Sequence, residues 1–308
     1  MAIRMNARRF AGMTLGIAAG VFLLCRSQVS LASISSFADT VRPAGILSAT
    51  RYHRFSADHR VEIYRIRYQS GKLIEVAYLV KPRHLRSKLP VVVFNPGEDG
   101  DNSRVLRYLS GISADGPYIV LANQYRGAEG GQGVDEYGGS DVQDVLNLVE
   151  VAQHLPFAKP EIGMLGFARG GMTTYLALKA DVPVQVAAVV SAPTDMIETY
   201  NRLGGIRDYF LKRRMRHAIG GNPKQLPQLY RDRSACLWPQ DIRVPLLIVQ
   251  GSEDDRVPAD QVTRFAGELT ALGKPFKLVM IPHGDHMLHN FPSDRDWAIL
   301  DWFHAHMN

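Results

Sequence analysis

Gly166-Phe167-Ala168-Arg169-Gly170-Gly171 decides how this chain folds. The apolar run 162–167 that enters it reads as a buried strand, and residues 172–179 that leave it have helical spacing. Two glycines bracket a central residue, and a third follows. This is the layout of a nucleophile elbow, in which a strand turns sharply into a helix and lifts one side chain above a sheet. The elbow expects Ser at its centre. Here the residue is Ala168, whose methyl group cannot attack anything.

Working outward, the same alternation of strand and helix appears on both sides. On the N-terminal side, residues 61–68 and 73–80 read as two antiparallel strands about a turn at 69–72. The continuous apolar run 90–94 predicts a strand buried on both faces. It ends in the loop Asn95-Pro96-Gly97-Glu98-Asp99-Gly100, followed by a short helix over 103–109 and a second buried strand over 118–122. Ser140, with Gln143 three positions on, has the spacing of a capping box and predicts a helix that Pro156 stops. On the C-terminal side, strands are expected over 184–190, 245–250 and 276–281 and helices over 258–272 and 294–306, the last with Trp297, Leu300 and Phe303 facing the core. Repeated strand–helix units imply a mostly parallel central sheet with helices on both faces.

Two segments break the rhythm. Residues 33–60 show no clear pattern and read as a lead-in to a domain over 61–308. Residues 194–239 lack a strand pattern and read as a small helical cap inserted over the sheet. Within it Leu211, Met215 and Ile219 form a narrow apolar stripe surrounded by Arg207, Lys212, Arg213, Arg214 and Arg216. These charges read as a solvated face, with an anionic substrate or a membrane surface as alternatives.

The net charge of +6 is no argument for nucleic acid. Residues 1–32 carry Arg4, Arg8, Arg9 and Arg26 and no acid, which leaves 32 basic against 30 acidic residues. That same stretch looks like a signal peptide. A basic start precedes an apolar run over 11–24, and Ser30-Leu31-Ala32 offers small residues before a cut near Ser33. The run is short of the roughly 20 residues a membrane span needs, so a secreted or periplasmic protein with no stable membrane span is expected. After cleavage Cys236 is alone, which excludes an intramolecular disulfide. Nothing in the chain fixes an oligomeric state.

Three expected strand ends carry chemistry, in the order elbow, acid, histidine. The second is Gly251-Ser252-Glu253-Asp254-Asp255-Arg256-Val257-Pro258 and the third is His283-Gly284-Asp285-His286. Acyl transfer needs a nucleophile, a His that moves its proton, and an acid that orients the His. It also needs backbone N–H groups for the developing oxyanion. The N–H of Arg169 is one candidate donor, and the 95–100 loop supplies the other at Gly97 or Glu98. Carboxylates at Glu98 and Asp99 would oppose an oxyanion unless they point to solvent. Either Asp254 or Asp255 can serve as the acid, and either His286 or His283 as the base; Asp254 and His286 are favoured. His283, His286 and His289 lack metal-ligand spacing, and no metal or other cofactor is expected.

These residues, with Tyr125-Arg126-Gly127, Gly138-Gly139 and Asp144-Val145-Leu146, resemble the catalytic domain of the prolyl oligopeptidase family of α/β-hydrolases over about residues 60–307. The resemblance implies an α/β-hydrolase fold and a serine peptidase or esterase acting on a small ester or peptide. It implies Asp254 as catalytic acid, His286 as base and Arg256 as a substrate contact. Tyr125 is a further candidate substrate contact, although Tyr125 and Arg126 also read as loop structure. The match fails at Ala168. Three accounts stay open: a replaced serine in an otherwise active enzyme, a relative that binds without cleaving, or attack by another group such as Ser191 or Cys236.

Overall fold

The computed structural model describes residues 45–53, 58–97 and 102–307. The expected signal peptide, most of the 33–60 lead-in, and Glu98 and Asp99 lie outside the described residues. Among the described residues a nine-stranded sheet runs in the order β1-β2-β3-β5-β4-β6-β7-β8-β9. The first strands, β1 (Ile46–Arg51), β2 (Val61–Ser70) and β3 (Leu73–Pro82), are antiparallel, and β3 pairs antiparallel with β5 (Ile119–Asn123). From β5 onward every pairing is parallel: β4 (Leu89–Asn95), β6 (Ala158–Phe167), β7 (Val186–Val190), β8 (Leu246–Gly251) and β9 (Phe276–Ile281).

Parallel strands need covering on both faces, because their crossover helices lie above and below. Alternation along β4 shows how this is met. Val91 and Val93 join the core beneath α2 (Val142–Gln153), α3 (Arg169–Lys179) and α7 (Ala259–Ala271). Val92 and Phe94 join the core beneath α1 (Asn102–Asp115) and α8 (Pro292–His306). The parallel register sets Asn95 beside Gly166, Phe167 beside Val190 and Gly251 beside Ile281. The loops that follow β4, β6, β7, β8 and β9 therefore leave the sheet along one edge, where ligand sites of open α/β sheets form.

Three local expectations change. Strand β1 lies inside the 33–60 lead-in and pairs with β2; only Ile46 of its six residues is buried, so it shows no apolar pattern. Ser140 does not cap α2. Its hydroxyl bonds Glu136 and Arg126, Asp141 holds the cap position, and no side chain caps the helix. On α8 the buried seam is Arg295, Ile299 and Phe303, four residues apart, and Trp297 is 66% exposed; Leu300 packs against the core as expected.

The 194–239 segment is helical, with α4 (Met196–Arg202), α5 (Gly205–Ile219) and α6 (Pro227–Asp232). Met215 and Ile219 are buried and Leu211 packs beside them. Arg233 ties this layer to the loop below by donating to the carbonyls of Glu136 and Tyr137, and it also donates to that of Leu229 within α6. Among the described residues no helix is long and apolar enough to cross a membrane.

Candidate active site

Strand β6 ends at Phe167 and α3 starts at Arg169, so Ala168 makes the turn alone. Its φ of 47° and ψ of −117° lie outside the regions L-residues favour. The glycines explain how so tight a turn packs. A Cβ on Gly166 would lie 2.3 Å from the Gly170 carbonyl oxygen, and one on Gly170 only 1.9 Å from that of Asn95. One on Gly171 would lie 2.3 Å from the Ala192 methyl. Backbone bonds finish the elbow: the Ala168 N–H donates to Val190 at 2.8 Å, and its carbonyl accepts from Gly171 and Met172.

Asp254 and His286, the favoured acid and base, meet. The His286 Nδ1 stands 2.9 and 3.0 Å from the two Asp254 carboxylate oxygens. Asp254 also accepts from the amides of Arg256 and Val257 and from the Gln250 side chain. Burial opposes its ionisation, but the His286 contact and the two amides outweigh burial and hold its pKa below the ordinary value. Asp255 is exposed at the surface. His283 is exposed too and pairs with Glu253 at 2.6 Å, so the alternative base is turned to solvent. Among the described residues no group of His, Cys, Asp or Glu has the arrangement to hold a metal ion.

Ala168, His286, Gly97 and Arg256 line one cavity of about 260 Å³. Its walls are mostly apolar, with Phe94, Tyr108 and Phe167 from the sheet side and Met196, Leu211 and Met215 from the cap. A Cβ on Gly97 would stand 3.7 Å from that of Ala168, which puts the β4 loop against the elbow. The Arg169 amide opens α3, where helix N–H groups lack intrahelical partners. Glu98, the other proposed donor, lies outside the described residues.

The Arg169 side chain enters a clamp that the sequence did not reveal. It is 2% exposed, forms a two-pronged pair with Asp135 and stacks 3.6 Å from the Tyr125 ring centre and 4.1 Å from that of Tyr137. Burial would lower the guanidinium pKa, but Tyr125 and Asp135 hold it above its ordinary value. The Tyr125 hydroxyl donates to the Pro96 carbonyl at 2.5 Å, and Arg126 forks onto Asp144. Tyr125 therefore braces the elbow against the β4 loop, and it is not among the cavity-lining residues. In these bonds Tyr125 and Arg126 act as loop structure.

The two substitute attackers are poorly placed. Ser191 is fully buried, and its hydroxyl finds no hydrogen-bond partner among the described residues. Cys236 lies in the cap outside the cavity wall, and burial pushes its thiol pKa up to about 12, away from the reactive thiolate.

A strand–elbow–helix, an acid after β8 and a histidine after β9 on a mostly parallel sheet define the α/β-hydrolase class. Comparison with known proteins agrees. The signature of the prolyl oligopeptidase family matches residues 111–308, and the chain belongs to that family. It is 29% identical over 233 residues to the uncharacterized peptidase YtmA of Bacillus subtilis, covering 71% of this chain and 84% of that protein. It is 26% identical over 205 residues to the acylamino-acid-releasing enzyme of Rattus norvegicus, covering 62% of this chain but 28% of that enzyme. Among solved structures, an acylaminoacyl peptidase in complex with Z-Gly-Gly-Phe-chloromethyl ketone superposes with a TM-score of 0.65 at 22% identity, over 80% of this chain and 42% of that one. A Pyrococcus furiosus esterase gives 0.64 at 16% identity, over 84% and 98%.

Proposed function

We propose that this chain is a serine-hydrolase scaffold of peptidase or carboxylesterase type whose acyl-transfer site lacks its nucleophile at Ala168. The observation that carries this is the shared cavity: Ala168, held at an elbow geometry, and His286, oriented by Asp254, face the same space. A hydroxyl at position 168 would supply the attacking oxygen. His286 would take its proton and return it to the leaving alcohol or amine, and Asp254 would stabilise the imidazolium. The amides of Arg169 and of the Gly97–Glu98 stretch would hold the oxyanion. Arg256 would contact a substrate carbonyl beside the acyl pocket. The organisation around the site supports this role split: Asp254 orients His286, and the close approach at the elbow glycines fixes position 168. The expected leader over residues 1–32 supports export to the periplasm or beyond.

The test is Ala168→Ser. Recovery of about a millionfold in turnover is expected, since loss of a nucleophilic serine costs about that much. Short acyl esters and peptide amides would read turnover, and a fluorophosphonate probe would read the serine directly. A folded Ala168→Ser protein that neither labels nor turns over sinks the proposal.

A second reading, a ligand-binding relative, is favoured by the cavity being intact without the hydroxyl. It expects the chain as it stands to bind a peptidyl or aryl ester without consuming it. Equilibrium titration that finds no binding to either ligand class removes that reading.

A further inference from the structure

Helix α5 has two unlike faces. Its inner face carries Leu211 and Met215, which wall the cavity, and Ile219, which is buried below them. Its outer face carries Tyr209 and Phe210, 61% and 65% exposed, packed edge to face with ring centres 5.6 Å apart. Large apolar rings are costly in water, and a pair of them on a surface marks a contact.

The charge around this pair is equally uneven. Fifteen residues of α5 hold five basic side chains against the single acid Asp208, a net of +4 in a chain whose total is +6. Asp208 is turned back to the Gly204 N–H and offers little to an outside cation. Helical spacing puts Arg213, Arg216 and His217 on the same outward arc as Tyr209 and Phe210, and all are exposed. Arg213 and Arg216 have no ion-pair partner among the described residues. Lys212 leans inward over the Tyr200 ring.

Rings that seek an interface, ringed by free cations, match the chemistry of an anionic lipid surface. A soluble polyanion would satisfy the arginines but leave the two rings in water. We propose that the outer face of α5 docks this protein onto bilayers bearing anionic headgroups, with Tyr209 and Phe210 in the headgroup region and Arg213 and Arg216 on the lipid charges. A helix is about 10 Å thick, so docking sets the cavity one helix away from the lipid surface.

The test is sedimentation of the full chain with phosphatidylcholine vesicles and with vesicles that also contain phosphatidylglycerol. Binding is expected only to the second, and weaker at high salt. Arg213→Gln with Arg216→Gln should lower the affinity about thirtyfold, at about a fivefold effect per cation. Tyr209→Ser with Phe210→Ser should lower it roughly tenfold. Residues 1–32 are also apolar and basic, so a second readout locates the contact. Phe210→Trp should add emission that brominated phosphatidylglycerol quenches. Failure to sediment, double variants that sediment as fully as the parent chain, or unquenched Phe210→Trp emission overturns the proposal. Heparin affinity that matches vesicle affinity and ignores the loss of Tyr209 and Phe210 overturns it in favour of a polyanion.

Discussion

Asp254 and Ala168 belong to one site, Ala168 on the cavity wall and Asp254 buried behind His286, but they are held in place by opposite means. Asp254 is fixed by attraction: its carboxylate accepts from His286, from the amides of Arg256 and Val257, and from Gln250. Ala168 is fixed by exclusion: its turn exists because Gly166, Gly170 and Gly171 let β6, α3 and the end of β4 approach to distances no side chain allows. The acid's position depends on what its own side chain does. The elbow's position does not depend on the residue 168 side chain at all. That difference accounts for an elbow that keeps its geometry with the attacking oxygen absent.

The largest effect should come from filling the elbow. Gly170→Ala would set a methyl 1.9 Å from the Asn95 carbonyl oxygen and 2.6 Å from that of Pro96. Neither is a side chain that can swing aside. A loss of more than about 4 kcal/mol, or failure to fold, is expected. Gly267→Ala in α7 is the control, since nothing lies within 4 Å of the added methyl. It should gain up to about 1 kcal/mol from helix propensity alone. Urea melts of the two variants that shift equally would break the exclusion argument.

What the sequence disclosed follows the same division. Buried parallel strands are apolar on both faces, so β4, β6, β7 and β8 stand out as runs, and the glycines of the elbow mark a close approach directly. The strand ends then deliver Asp254 and His286 in order. Strand β1 was illegible because only Ile46 of its six residues is buried. The cap's inner stripe was readable from spacing, but the exposure of Tyr209 and Phe210 was not, because an aromatic on a helix usually faces the core. The Arg169 clamp joins residues 125, 135, 137 and 169 across separate loops, and no local pattern announces such a meeting. Trp297 misled for a related reason: size argued for burial, whereas the α8 seam follows Arg295, Ile299 and Phe303.

A smaller effect is expected on the attracted side. Asp254→Asn keeps the shape but gives one acceptor in place of two and removes the charge facing His286. A loss of about 1–3 kcal/mol at neutral pH is expected from a charged hydrogen-bond acceptor left incomplete. The pH dependence carries a sign. The folded-state pKa of Asp254 is depressed below 3.8, so its contribution is present above 3.8 and disappears as pH falls through the lower folded value. The gap between the parent chain and Asp254→Asn should therefore narrow in acid, measured as the difference in urea midpoints across pH. A gap that widens in acid would show that the site is not held by the ionised carboxylate.

The smallest effect, and the most direct probe of the elbow, is Ala168→Gly. A non-glycine residue at φ 47° and ψ −117° carries about 1–3 kcal/mol of backbone strain. Glycine relieves it but adds roughly 0.5–1 kcal/mol of unfolded-state freedom. Ala168 lines the cavity, so removal of its methyl sacrifices little packing. A net gain of about 1 kcal/mol is expected, seen as a higher urea midpoint with an unchanged slope. Ala168→Ser, with the same backbone requirement, should leave the midpoint almost where it is. If Ala168→Gly instead destabilises the chain, the turn is held by the residue 168 side chain after all, and the contrast between the two halves of the site fails.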